Sequence, residues 1–194
     1  MRWIAPAALA LGLLALTRTP VEAQRASTTT PRHGLWVGAG LGLGSAQLTC
    51  SVCQGGRDRG TTGYLRIGTT VGKNILLGAE TNIWYHSQSQ IDYLLAALSG
   101  VVYLYPKPNS GFYLKTGAGF AQYSAKDDTD KVSSNAIALQ IGAGWEVLMT
   151  RSMSIVPFVN FLGTTGGDVR INQTISGLSA NTSLIQVGVG VTLH

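Results

Sequence analysis

The stretch LWVGAGLGLG, from Leu35 to Gly44, decides the fold because glycine alternates with large apolar residues along it. A dinucleotide-binding loop would require the spacing G-x-G-x-x-G between a strand and a helix. The third glycine is missing whether the motif is started at Gly38 or at Gly40, and no helical pattern follows. A period of two is typical of a β-strand whose two faces meet different surroundings. The apolar side chains form one face, and the glycines form the other together with Trp36.

The first 23 residues predict a signal peptide. Arg2 is followed by an apolar stretch over residues 4–16, which is too short to span a bilayer, and Val21-Glu22-Ala23 fits a cleavage site. Residues 24–33 are polar and aperiodic, so we expect a flexible N-terminal tail before a single domain over residues 34–194. Loss of the leader would lower the formal net charge of the chain from +5 to +4.

The charges and cysteines exclude several classes of protein. The charges are scattered without a run of one sign, so the sequence has no nucleic-acid footprint. Cys50 and Cys53 form one C-x-x-C segment, with neither a second such pair for zinc nor a following histidine for haem. A thioredoxin-like motif would need a helix N-terminus here, and the residues that follow, QGGRDRG, do not provide one. The favoured interpretation is a short disulfide in a polar loop.

Eight segments of period two follow one another, and no helical segment is predicted after the leader. They cover residues 35–44, 62–72, 75–86, 91–105, 112–123, 137–147, 153–161 and 185–193. Polar connections over residues 46–61, 124–135 and 163–181 are long and the one at 87–90 is short, whereas 73–74, 106–110 and 149–152 are tight turns. All the long connections fall at the same end of the sheet. This layout predicts an up-and-down barrel.

The position of the charges indicates which face of the barrel points outward. Arg66, Glu80, Lys115 and Glu146 all lie on the faces that carry the glycines, and the opposite faces have almost no ionisable group. A lysine or arginine facing lipid costs about 2–4 kcal/mol at the bilayer midplane. The charge-free faces are therefore the ones that can contact hydrocarbon. The fold class predicted is a closed antiparallel transmembrane β-barrel of eight strands.

The interior of such a barrel is narrow and holds side chains. Trp36, Tyr64, Arg66 and Trp84 would occupy much of it, so we expect the glycines to make room for these bulky neighbours. Residues 91–105 are apolar on both faces, and their orientation stays open.

The four inward charges predict a structural network, with proton relay or ion selectivity as the minority interpretation. Arg66 and Glu80 lie on consecutive strands and fall opposite each other if their connection has an odd length or a bulge. Lys115 and Glu146 could pair in the same way across the fifth and sixth strands.

Outward aromatic residues predict a girdle at each membrane interface. Trp145 and Phe112 lie near the tight turns, and Tyr85 and Phe120 lie near the long connections. Tyr103 and Tyr105 would join the lower girdle if the fourth strand points them outward.

The segments LKTGAGFAQY and LQIGAGWEV, with the glycine-rich last strand, resemble the small bacterial outer-membrane β-barrel proteins related to OmpA, OmpX and OmpW. The resemblance covers residues 34–194. It implies an outer-membrane location with the N-terminus and tight turns in the periplasm, contact with outer-membrane lipid and lipopolysaccharide, and insertion by the barrel-assembly machinery. The C-terminal assembly signal of the family is matched by Gln186, Gly188, Val191 and Leu193, although His194 stands where these proteins usually end in an aromatic residue.

Three functions are compatible with this barrel. The first, which we favour, is a non-enzymatic barrel that acts structurally or through its extracellular loops, without cofactor, metal or nucleic acid. The second is a narrow pore or conduit for a small apolar ligand. The third is a lipid-modifying enzyme that uses His86 with Ser87, Ser89 and Asp92, although Gln88 stands at the serine position of the deacylase H-x-S pattern.

Overall fold

A computed structural model of the chain describes residues 32–50, 56–126, 131–171 and 174–194. The predicted signal peptide and residues 24–31 of the predicted tail lie outside these ranges. Cys53 lies outside them as well, and so does the predicted disulfide between the Cys50 and Cys53 side chains.

Eight long strands and one two-residue strand make up almost all of the described chain. In chain order they are β1 (Leu35–Cys50), β2 (Asp58–Gly72), β3 (Ile75–Gln88), β4 (Ile91–Leu104), β5 (Phe112–Lys126), β6 (Lys131–Trp145), β7 (Val147–Leu148), β8 (Met153–Ile171) and β9 (Thr174–Leu193). Among the described residues, no helix is long and apolar enough to cross a membrane.

The sheet closes on itself. Every pairing is antiparallel, and the strand order is β6-β5-β4-β3-β2-β1-β9-β8-β7. Strand β1 pairs with β9 from Val37 opposite Leu193 upward, and β6 pairs with β8, so both edges are joined. Closure gives the backbone groups of each long strand a neighbour on both sides, which a sheet in hydrocarbon requires. The predicted eight-stranded up-and-down barrel is confirmed.

The exterior of the barrel wall is apolar. Side chains alternate between buried and exposed along each strand, and the exposed ones are large and apolar, with Leu41 at 78% and Phe120 at 75% exposure. The four charged residues of the glycine-bearing faces are buried inside. Such an outer surface is stable in lipid and not in water, because a soluble protein rarely exposes a large contiguous apolar patch. The prediction that the apolar faces of the strands point outward and the charged faces inward is therefore confirmed.

The hairpins at one end are longer than the sequence predicts. The sequence predicts loops over residues 46–61, 124–135 and 163–181, but strand pairing runs through most of each range. Strands β8 and β9 are separated only by residues 172–173. The prediction failed because hydrophobic alternation disappears where both faces of a strand are polar, whereas backbone hydrogen bonding between strands continues.

The connections at the other end are tight, as predicted. Lys73 and Asn74 join β2 to β3, and a bulge between Thr70 and Gly72 shifts the register by one residue. This is the bulge that the pairing of Arg66 with Glu80 requires, and the two residues stand directly opposite each other.

Glycines on the inner face lie against bulky side chains. A Cβ atom added to Gly44 would lie 2.7 Å from Cδ1 of Trp84, and one added to Gly38 would lie 2.8 Å from Nε of Arg66. Both distances are shorter than a van der Waals contact. The glycine alternation in LWVGAGLGLG therefore makes space for the large residues of neighbouring strands.

Candidate functional site

The barrel interior is the only part of the described chain where charged side chains are gathered away from water. Its side chains form successive layers, from the tight turns towards the long hairpins. We name them, in that order, the clasp around Glu146, the charge layer around Glu80, the amide layer around Asn160 and the apolar plug around Trp84.

The charge layer is centred on Glu80, which is 1% exposed. Lys115 forms an ion pair with the Glu80 carboxylate, and the Tyr103 hydroxyl donates a hydrogen bond to its other oxygen. Asn82 donates a further hydrogen bond to Oε1 of Glu80 at 3.0 Å. A buried carboxylate is stable only when charge and hydrogen bonds compensate for its lost hydration. Three strands supply that compensation here.

Arg66 lies opposite Glu80 in the strand register but has other hydrogen-bond partners. Its Nη1 donates to the Tyr113 hydroxyl at 3.1 Å, and its Nη2 donates to Oγ1 of Thr192. The guanidinium carbon lies 5.1–5.7 Å from the ring centroids of Trp36, Tyr64, Tyr103 and Tyr113. Rings at this distance stabilise a desolvated cation through their quadrupoles.

The predicted partnership of Lys115 with Glu146 is not formed. Lys115 is bound to Glu80, and Glu146 lies in the clasp at the barrel end. The reason is geometric: inward side chains in a narrow barrel reach across the lumen, so the partner depends on strand stagger and not on sequence neighbourhood.

The clasp joins both ends of the described domain. Arg32 Nε lies 3.2 Å from Oε2 of Glu146, and Nε2 of His194 lies 3.4 Å from its Oε1. The Tyr105 hydroxyl donates to the same Oε1 at 2.8 Å, and the Arg32 guanidinium stacks 3.6 Å above the Tyr105 ring. Arg32 also donates to the backbone oxygens of residues 108 and 110. The aperiodic sequence around Arg32 predicts a flexible tail, whereas the structure buries this side chain.

Tyr103 and Tyr105 face the interior. Both are buried, and Tyr103 packs edge-on against Trp36 with ring centroids 5.2 Å apart. They therefore do not join the lower girdle, which was the expectation if β4 pointed them outward. Trp145 and Tyr85 are exposed on the outer wall. The ring centroids of Phe112 and Trp145 are 6.0 Å apart.

The amide layer crosses the lumen above the charge layer. Nδ2 of Asn160 donates to Gln186 at 2.7 Å and to Gln140 at 3.3 Å, and Nδ2 of Asn82 donates to Gln140 at 3.1 Å. Gln186 then donates to the Thr62 hydroxyl. The sequence did not single out this layer, although each of these side chains lies on a polar strand face.

The apolar plug closes the end nearest the long hairpins. Trp84 is its largest member, and its indole nitrogen donates to the backbone oxygen of Gly44 at 3.2 Å. The other large members are buried or nearly so: Leu95, Tyr123, Leu162 and Leu184. Among the described residues, no group of three or more metal-ligating side chains converges.

The residues of the hypothetical Ser–His–acid site do not assemble. His86 lies on the inner face, stacked between Trp84 and Tyr93, and its Nε2 lies 3.2 Å from Oε1 of Gln88. Asp92 lies on the outer face, where it accepts a hydrogen bond from the Tyr85 hydroxyl at 2.8 Å. Hydrogen bonds from Ser87 and Tyr85 lower the pKa of the Asp92 carboxyl. Strand alternation places the histidine and the carboxylate on opposite sides of the sheet.

The residues matching the C-terminal assembly signal lie on β9. Gln186 is buried in the amide layer, while Val191 and Leu193 are exposed on the apolar outer wall. Gly188 lies against the backbone of β1 at Leu41.

A solved structure shares this fold. Neisserial surface protein A is 13% identical, with a TM-score of 0.61 over 82% of this chain and 96% of that one. Ail of Yersinia pestis is 10% identical, with a TM-score of 0.48 over 81% of this chain and 99% of that one. OprG of Pseudomonas aeruginosa is 13% identical, with a TM-score of 0.49 over 86% of this chain and 99% of that one. No protein-family model matches the sequence, and no curated protein matches it.

The chain thus has the fold of the small outer-membrane β-barrels, as the sequence resemblance implied. Its closed sheet and apolar outer wall are those of a barrel embedded in a membrane.

Proposed function

We propose that the protein is a closed, non-catalytic barrel whose activity resides in the hairpins that extend beyond the lipid-facing band. The observation that carries this proposal is the filled interior. The clasp, charge layer, amide layer and apolar plug cross the lumen one above another, through side chains that are almost fully buried. A barrel with this interior is suited to holding surface hairpins in place.

The extended hairpins provide a polar surface outside the lipid-facing band. A transmembrane strand needs about 9–11 residues to cross the bilayer, whereas β8 has 19 residues and β9 has 20. The excess projects polar side chains such as Asp168, Arg170 and Asn181 away from the apolar band. In bacterial barrels the long loops are extracellular and the short turns periplasmic. We assign the same orientation to this chain, with Arg32 and the tight turns in the periplasm.

The filled interior disfavours the pore. An ion or apolar ligand would have to displace the hydrogen bond between Asn160 and Gln186 and then the Trp84 side chain of the plug. The separation of His86 from Asp92 disfavours the lipid-modifying enzyme.

Two measurements test the proposal, one on the refolded protein and one on cells that express it. Planar-bilayer recordings should show no stepwise conductance, with a refolded porin as the positive control. Mass spectrometry of lipid A and phospholipids, from cells expressing the protein or its His86→Ala variant, should show the same acyl chains as cells without it. Steady conductance steps would favour the pore, and an acyl change lost in His86→Ala would favour the enzyme. Either result would overturn the proposal.

A further inference from the structure

Each of the three tight turns carries one exposed cation. Lys73 lies between β2 and β3, Lys107 between β4 and β5, and Arg151 between β7 and β8. Because the strands are connected up and down, all three turns lie at the same end of the barrel. We define these three residues as the cationic rim.

No exposed acidic side chain balances the cationic rim within the described ranges. Glu146 is the acidic residue at this end, and it is buried in its ion pair with Arg32. The other described acidic residues lie in the interior or at the hairpin end: Glu80, Asp58, Asp92 and Asp168. At the hairpin end charges of both signs are mixed, and Asp92 stands opposite Lys126 in the strand register. The exposed side-chain charge of the described residues is therefore positive at the tight-turn end and mixed at the hairpin end.

Backbone hydrogen bonds hold the turns that carry these cations. The amide of Ser110 donates to the carbonyl of Lys107 at 2.9 Å. The amide of Tyr105 donates to the carbonyl of Asn74 at 2.8 Å, which links the Lys73 turn to the next one. The amide of Met149 donates to the carbonyl of Met153 at 2.9 Å and closes the turn that contains Arg151. The backbone of the turns that carry the cationic rim is thus held in place at the end of the barrel wall.

The cationic rim adjoins the lipid-facing band. Ile75 follows the Lys73 turn by one residue, and its side chain is exposed on the outer wall. Leu104 precedes the Lys107 turn, and Met149 lies two residues before Arg151; both are also exposed. Cations next to side chains that face hydrocarbon lie at the depth of the phospholipid headgroups.

From this arrangement we infer that the cationic rim binds the phosphate groups of anionic phospholipids in the leaflet at the tight-turn end. Its members are distributed around the barrel at alternate strand connections. A shell of lipid around the barrel reaches all three positions at once. Lysine and arginine near an anionic membrane surface favour binding by up to roughly fivefold for each cation. The inference rests on the barrel being embedded in lipid and not on the role of the hairpins.

Quenching of tryptophan fluorescence by brominated lipids tests this inference. Trp145 is exposed on the outer wall close to the tight turns, and its signal is the difference between the protein and its Trp145→Phe variant. The protein is refolded into phosphatidylcholine vesicles that contain brominated phosphatidylglycerol or brominated phosphatidylcholine. We expect a several-fold preference for phosphatidylglycerol at Trp145, weakened by added salt because exposed charges are screened.

The variant K73Q/K107Q/R151Q should reduce this preference to about one. The matched control R59Q/K126Q/R170Q removes the same number of charges from the hairpin end and should retain the preference. All six substituted side chains are exposed, so both variants should fold. Folding is verified on SDS gels, where a closed barrel changes its mobility when the sample is boiled. Equal quenching by both lipids in the unmodified protein, or a preference that survives K73Q/K107Q/R151Q, would overturn the inference. Neither result depends on conductance or lipid modification, so the proposed function is tested separately.

Discussion

Glu80 and Arg66 stand directly opposite each other on β3 and β2, yet Glu80 forms its ion pair with Lys115 on β5. The charge layer is therefore connected across the lumen as well as along the barrel wall. Arg66 donates hydrogen bonds to Tyr113 and Thr192. Strands β2, β3, β4, β5 and β9 therefore all contribute to the charge layer. Removing a member should weaken the whole barrel, not a single hairpin.

Glu80→Gln should lower the free energy of unfolding by about 3–5 kcal/mol, because it leaves the buried Lys115 ammonium without its carboxylate. The measurement is urea-induced unfolding in phospholipid vesicles. Asp168→Asn is the matched control, since Asp168 is exposed at the hairpin end, and it should change stability little. The double variant Glu80→Gln/Lys115→Met should recover part of the loss, and a Glu80→Gln variant as stable as the control would contradict the role of this ion pair.

Gly44→Leu should destabilise the barrel by about 1–3 kcal/mol or more through overpacking against Trp84. The control is Gly100→Ala, where the nearest atom to an added Cβ is a backbone oxygen 4.0 Å away, and this substitution should be close to neutral. Adding Trp84→Ala to Gly44→Leu should cost less than the two single changes together, because the leucine enters the space that the indole leaves. Additive losses in this double-mutant cycle would show that Gly44 does not accommodate Trp84.

Arg32→Ala should open the clasp and lower the free energy of unfolding by about 2–4 kcal/mol, because Glu146 would lose its charged partner while staying buried. His33→Ala is the control next to it in sequence, and His33 is exposed. The temperature at which the barrel loses its compact gel mobility should fall for Arg32→Ala and stay unchanged for His33→Ala. Equal temperatures for both variants would place the residue in the mobile tail that the sequence suggested.

The strands and their facing could be predicted because charge and glycine fall on one face while leucine, isoleucine and valine fall on the other. The orientation of β4 could not, since residues 91–105 are apolar on both faces and lumen-filling residues such as Leu95 and Val101 resemble lipid-facing ones. The extent of β8 was missed for the opposite reason, because its outer half is polar on both faces.

The partners inside the lumen depend on information that the sequence does not display. Parity placed Arg66 opposite Glu80, but the contact between Lys115 and Glu80 depends on how far the intervening strands are staggered. Arg32 carried no signal, because a single arginine in a polar, aperiodic segment has the appearance of a solvated tail.

Epitope tags should establish the orientation that the proposed function assigns. A tag inserted in the connection between Ile171 and Thr174 should bind antibody on intact cells, because the β8–β9 hairpin extends from the membrane on the extracellular side. A tag between Arg151 and Ser152 should bind only after the outer membrane is permeabilised. Retention of heat-dependent gel mobility by both variants would show that the tags leave the barrel intact. The reverse accessibility would place the long hairpins in the periplasm and transfer any surface-binding role to the tight turns.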